Sequence, residues 1–267
     1  MDGKDRLLAV EDATRRHLAA RPAVAAAFLA GSVVEGYGNP TSDIDVLVLA
    51  DGEGDTVPAP EGGRPVFRFE DCTVEIVHAG DERLDIETRP LPEFRRIVSR
   101  LHALPVDQEG AYEVSAFTFQ FLHQLRVGRP VVGHELIAEL RAAVDWGRVG
   151  ELLRIRRQSD YGGHAEDAAG AIRAEDAGTA LLTSRLALGT AMDCLIAALG
   201  HTNPKEKWRY RKLADLGRHD VASRCLALEC DPDPDPRALL RSARRRLVAA
   251  QELVAEAGRL GRQPVGG

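Results

Sequence analysis

The sequence predicts an α+β protein, a small mixed-sheet domain over residues 1–90 followed by a helical bundle over 91–267. Three observations predict it. Two apolar runs, 23–31 and 42–50, are short and bounded by turn residues, as buried strands are. The segment VFRFEDCTVEIVHAG, 66–80, alternates with a period of two. From Leu91 the period becomes helical and stays so to about Arg259.

Residues 4–20 place Leu7, Leu8, Val10, Ala13 and Leu18 among charges, which predicts an opening helix stopped near Pro22. AVAAAFLAG, 23–31, is a strand that stops at glycine, and SDIDVLVLA, 42–50, is the second strand. Residues 51–65 are rich in Gly, Pro and acid and predict a surface loop. The alternating segment predicts two strands with a tight turn at 70–72. Helices follow at 92–104, at 113–128 with a stop at Gly128, at 134–144 and at 146–160. An alanine-rich helical stretch covers 165–199, where Gly170, Gly178 and Gly189 permit close helix packing. Pro204 is expected at the N-terminus of a helix running to Gly217. DPDPDPR, 231–237, reads as a rigid acidic linker before the last helix.

The 267 residues carry a net charge of −6, which offers no global attraction to a nucleic-acid backbone. The cysteines, Cys72, Cys194, Cys225 and Cys230, form neither a CxxC pair nor a zinc spacing. The first residues are too charged for a signal peptide, and no run approaches the roughly 18 apolar residues of a membrane span. A soluble, cytoplasmic protein is expected. Lys205, Lys207, Arg209, Arg211 and Lys212 interleave with Trp208 and Tyr210. That pattern suits a nucleotide-phosphate contact, a stacking platform or a plain solvated helix.

The stretch GSVVEGYGNPTSDIDVLVL, 31–49, holds the candidate chemistry. Asp43 and Asp45 are two apart, so a strand points both to one face. Bare carboxylates side by side repel, and Mg²⁺ binds through one or two carboxylates plus substrate phosphates. Glu75 interrupts the apolar pattern of a later strand and would converge with the pair if that strand lies beside it. Gly31 lets the chain approach a phosphate, and Ser32 adds a hydroxyl. Ser42, which opens the aspartate run, joins these as a nucleotide-binding candidate. The stretch is not a Walker loop, not GxGxxG and not a GxSxG nucleophile elbow.

Gly-Ser at 31–32 followed by SDIDVLVL at 42–49 resembles the nucleotidyltransferase superfamily that includes DNA polymerase beta. The resemblance covers about residues 25–80. It implies that Asp43 and Asp45 bind Mg²⁺, that Gly31 and Ser32 hold phosphate, and that Glu75 is the third carboxylate. Length and organisation are similar to the aminoglycoside adenylyltransferases, whose helical domain supplies a basic contact to the triphosphate. Lys205, Lys207 and Arg211 are the candidates here. The implied reaction moves AMP from ATP onto a hydroxyl of a small-molecule acceptor and releases pyrophosphate. A protein or RNA acceptor, or a non-catalytic nucleotide-binding protein, are the alternatives. Many members carry Arg or Lys after the Gly-Ser, where this chain has Val33, Val34 and Glu35. Glu35 beside a triphosphate would be unfavourable unless it points away.

Overall fold

The computed structural model describes residues 3–19, 21, 23–39, 41–52, 66–68, 72–79, 82–230 and 234–261. The chain divides into two compact units, Met1–Ala103 with Phe121–Asp145, and Leu104–Gln120 with Trp146–Gly267. The first unit reaches past residue 90, where the sequence placed the end of the sheet domain. Helix α2 (Leu91–Ala103), the greater part of α4 (Ala116–Val127), strand β6 (Arg129–Val132) and α5 (His134–Ala142) belong with the sheet.

The first unit carries α1 (Gly3–Leu18) and a six-stranded sheet. Its first five strands are β1 (Val24–Ala30), β2 (Ile44–Ala50), β3 (Val66–Arg68), β4 (Thr73–Ala79) and β5 (Glu82–Pro90). The order is β3-β4-β5-β2-β1-β6. Strands β2 and β5 are parallel, and every other pairing is antiparallel. The expected turn at 70–72 begins among residues outside those described.

Two strands depart from the expectation. No strand is expected over 82–90, whose acids Glu82 and Asp85 suit either a cationic substrate or a solvated loop, yet 82–90 is a nine-residue strand. Its buried positions, Leu84 and Ile86, alternate with polar ones, as a half-buried strand requires. The GRPVV segment is likewise β6 and not a helix ending. The helix expected over 113–128 is α4, at 116–127, and a separate short helix precedes it. α3 (Gln108–Glu113) is capped by the Asp107 carboxylate, which accepts from Gly110 N at 3.0 Å. Ser115 Oγ accepts from Thr118 N at 3.0 Å and starts α4 afresh.

One sheet face packs on α1. Leu7, Val10 and Leu18 meet Ala27, Leu29, Ile44, Val46, Val48, Val77, Leu84 and Ile86. The opposite face carries Phe28, Leu47, Leu49 and Arg89. Phe121 of α4 lies over the Arg89 guanidinium at 5.0 Å, and Phe94 of α2 meets Phe121 edge-on at 5.7 Å.

The second unit is helical. α6 (Trp146–Arg173) and α7 (Ala177–Ala198) pack with α10 (Pro236–Leu260), and a 3-10 turn (Glu206–Trp208), α8 (Arg209–Asp215) and α9 (His219–Glu229) complete it. α6 runs well past the expected end at 160, because Gly162 and Gly163 lie on an open face and force no break. Pro204 precedes the 3-10 turn and does not begin a helix. Its neighbours are held by buried Lys212, whose Nζ donates to the carbonyls of Asn203 and Lys205 at 2.9 Å. α7 is long and apolar enough to span a membrane, contrary to the reading that no run comes close. Yet 72% of its most apolar window is buried in the helical unit, as in a core helix.

Candidate active site

The site begins where β1 ends. Gly31 adopts φ +81, and a β-carbon placed there would lie 1.8 Å from Asp45 Oδ2. Only glycine combines that backbone with that approach. Residues 31–38 then close a tight turn. Ser32 O accepts from Tyr37 N and Gly38 N, both at 2.7 Å, and Gly31 O accepts from Glu35 N at 3.2 Å. The chain returns through an Asx turn. Asn39 Oδ1 accepts from Thr41 N at 2.9 Å and from Ser42 Oγ at 3.2 Å, and Ser42 Oγ accepts from Asn39 N at 2.9 Å. The Ser42 hydroxyl is thus engaged in shaping the loop that delivers Asp43.

Glu35 is turned away from the glycine-serine segment. Its carboxylate pairs with His123 of α4, Oε2 to Nε2 at 2.9 Å, and both side chains are largely buried. This contact explains the polar histidine inside α4, and it fastens the turn to the helix over the sheet.

Register decides which acids share a face. Asp45 pairs with Asp85 across the parallel β2–β5 ladder, and Asp85 pairs with Ile76 of β4. Paired residues project to the same side, so Asp45 and Asp85 stand together. Glu75 pairs with Ile86, which pairs with Val46 of the α1 core. Glu75 therefore faces α1, where it is buried and ion-paired with Arg21. The structure brings Asp45 and Asp85 to one face, with Asp43 just ahead of β2 and near enough for its charge to act on Arg83, and leaves Glu75 on the other face. The signal for Asp85 was present in LDIE, 84–87, whose alternation matches that of SDID.

Two arginines frame the carboxylates. Arg83 grips Asp85 through Nε and Nη2, both at 2.8 Å. That hydrogen bond, then the charge of Asp85 and more weakly that of Asp43, raises the Arg83 pKa. Arg6 of α1 donates to both Glu82 oxygens at 2.8 and 2.7 Å and to Ser42 O at 2.9 Å. It ties the entrances of β2 and β5 to one helix. Among the described residues no three His, Cys, Asp or Glu side chains form a ready-made metal cluster. The Asp43–Asp45 pair suits Mg²⁺ nonetheless, because that ion takes one or two carboxylates and completes its shell with water and substrate phosphate.

Lys205 and Lys207 lie in the second unit and are exposed. Lys207 stacks over Trp208 at 4.9 Å, and Arg211 does so at 5.2 Å.

Residues 12–120 match the nucleotidyltransferase domain family. A crystal structure of a nucleotidyltransferase-like protein from Exiguobacterium sibiricum 255-15 superposes with a TM-score of 0.52. The match covers 94% of this chain and 77% of that one at 14% identity, a likeness of fold. No curated protein matches the chain.

Proposed function

We propose that the protein is a Mg²⁺-dependent nucleotidyltransferase that moves AMP from ATP onto a hydroxyl of a small-molecule acceptor. One observation carries the reading. The Gly31 turn closes directly onto the Asp45 carboxylate, while Asp85 stands in register beside it. A strand that needed only to fold has no use for paired acids behind an obligatory glycine. In the match over 12–120 the same segment lies within a nucleotidyltransferase domain.

Mg²⁺ held by Asp43 and Asp45 would offset the charge of the triphosphate. The backbone N–H groups at the start of the 31–38 turn and the Ser32 hydroxyl are the phosphate donors of this reading. Asp85 accepts the proton of the attacking acceptor hydroxyl on a carboxylate oxygen once a bound substrate competes with Arg83 for it. The hydroxyl oxygen forms the new bond at the α-phosphorus, and pyrophosphate leaves.

Calorimetric titration of ATP into wild type and Asp45→Asn, each with Mg²⁺ and with chelator, tests the reading. Wild type should bind more tightly with Mg²⁺, and Asp45→Asn should lose that difference. Equal affinity in all four titrations overturns the proposal.

A further inference from the structure

The helical unit carries an open cavity of about 500 Å³ lined by its own residues. It lies within the size range of small-molecule sites, about 300–1,000 Å³. On α6 its wall is a stripe spaced three or four apart, Arg157, Asp160, Gly163, His164 and Asp167. On α7 it is the stripe Arg185, Leu186, Gly189 and Thr190, and Arg209 of α8 closes one end.

The cavity is open because glycines line it. A β-carbon on Gly163 meets nothing within 4 Å, so that position faces empty space. Gly189 admits Arg209, whose Nη1 would lie 2.6 Å from a β-carbon there. Arg209 is built in. Its Nε and Nη2 donate to the buried Asp193 carboxylate at 3.1 and 2.7 Å, which leaves the Nη1 hydrogens beside the Gly189 floor. Burial opposes its charge, but the Asp193 hydrogen bonds and charge more than offset this, and its pKa is raised.

The α6 wall sets two carboxylates, Asp160 and Asp167, beside Arg157 and His164, and Arg156 Nε lies 3.5 Å from Asp160. Asp160 accepts from Tyr112 Oη at 2.9 Å and is thereby fixed toward the cavity. Arg157 is spent on the Pro204 carbonyl at 2.9 Å and lies 3.7–3.8 Å from Glu206 and Asp160. Asp167 is an exposed carboxylate on the same stripe. One side thus offers carboxylates and the other a clamped guanidinium edge.

We propose that this cavity is a binding site for a small zwitterion, its ammonium group set against Asp160 and Asp167 and its carboxylate against Arg209. The cavity is polar, so an apolar ligand would leave these groups unpaired. The inference is separate from the transferase reading, and it is tested without nucleotide.

The test is calorimetry of the full chain with 4-aminobutyrate and 6-aminohexanoate, and with hexylamine and hexanoate as single-charge controls. At least one aminoalkanoate should bind saturably, and each control should bind at least about tenfold more weakly. Gly163→Phe should fill the cavity and Asp167→Asn should remove an acid with no role in packing. Each should weaken binding about tenfold or more with an unchanged thermal midpoint. No binding of either aminoalkanoate overturns the proposal. So does hexylamine binding as tightly as the aminoalkanoates, or Gly163→Phe binding like wild type.

Discussion

Glu75 and Asp85 show how one residue's parity decides its role. Both are acids on strands of the same sheet, but register turns Glu75 to Arg21 under α1 and Asp85 to Asp45. Glu75→Gln should therefore cost stability, about 1–3 kcal/mol for a charged partner left without its carboxylate. Its Mg²⁺-dependent ATP binding should match wild type. Asp85→Asn should melt close to wild type and lose about 10²–10⁴-fold in turnover, the range of a general base. Thermal melts and steady-state turnover of the two variants decide between them, and the reverse pattern would restore Glu75 to the site. Gly31→Ala meets both a left-handed backbone and the Asp45 carboxylate. It should lose at least about 1–2 kcal/mol of stability from the backbone alone, along with ATP affinity. A variant that binds ATP like wild type would show that the turn does not need this glycine.

At the scale of elements, β1, β2 and α1 were legible because each is an unbroken apolar run or a clean helical stripe. Strand β5 was not. Glu82, Arg83, Asp85 and Glu87 are interleaved with Leu84 and Ile86, so four charges hide two buried apolar residues. The parallel ladder to β2 was also invisible, since it joins segments about forty residues apart. That hidden strand led the third acid to be sought on β4. The Arg6–Glu82 pair now makes a prediction about β5. Hydrogen bonds from Arg6 hold the Glu82 carboxyl below its ordinary value of 4.5, and burial opposes them. A depressed carboxylate contributes stability above its unfolded pKa and loses it as pH falls through the folded value. Wild type should be more stable than Glu82→Gln near neutrality, and the gap should close as pH drops below 4.5. Melting curves of both proteins from neutral pH to about pH 3 measure it. A gap that stays constant would mean that the ion pair contributes nothing through ionisation.

Over the whole molecule, composition pointed to thiols without metal spacing but gave no way to rank them, because helical packing decides which ones water reaches. Cys194 and Cys225 lie in the core of the helical unit with Leu188, Leu195, Leu213 and Leu253. Cys230, just beyond α9, is exposed. Burial pushes the Cys194 and Cys225 thiols up to about 11, and Cys194 Sγ donates to the Arg154 carbonyl at 3.6 Å. The thiolate is the reactive form, so both access and ionisation protect these two. In native buffer a disulfide reagent such as Ellman's should modify exposed Cys230 rapidly. Cys194 and Cys225 should react only when the helical unit opens, at rates that rise with urea in step with the loss of helical circular dichroism. Mass spectrometry of the labelled peptides assigns each site. Native labelling of Cys194 or Cys225 at the rate of Cys230 would show that the α7–α9–α10 core opens without global unfolding, against the packing described here.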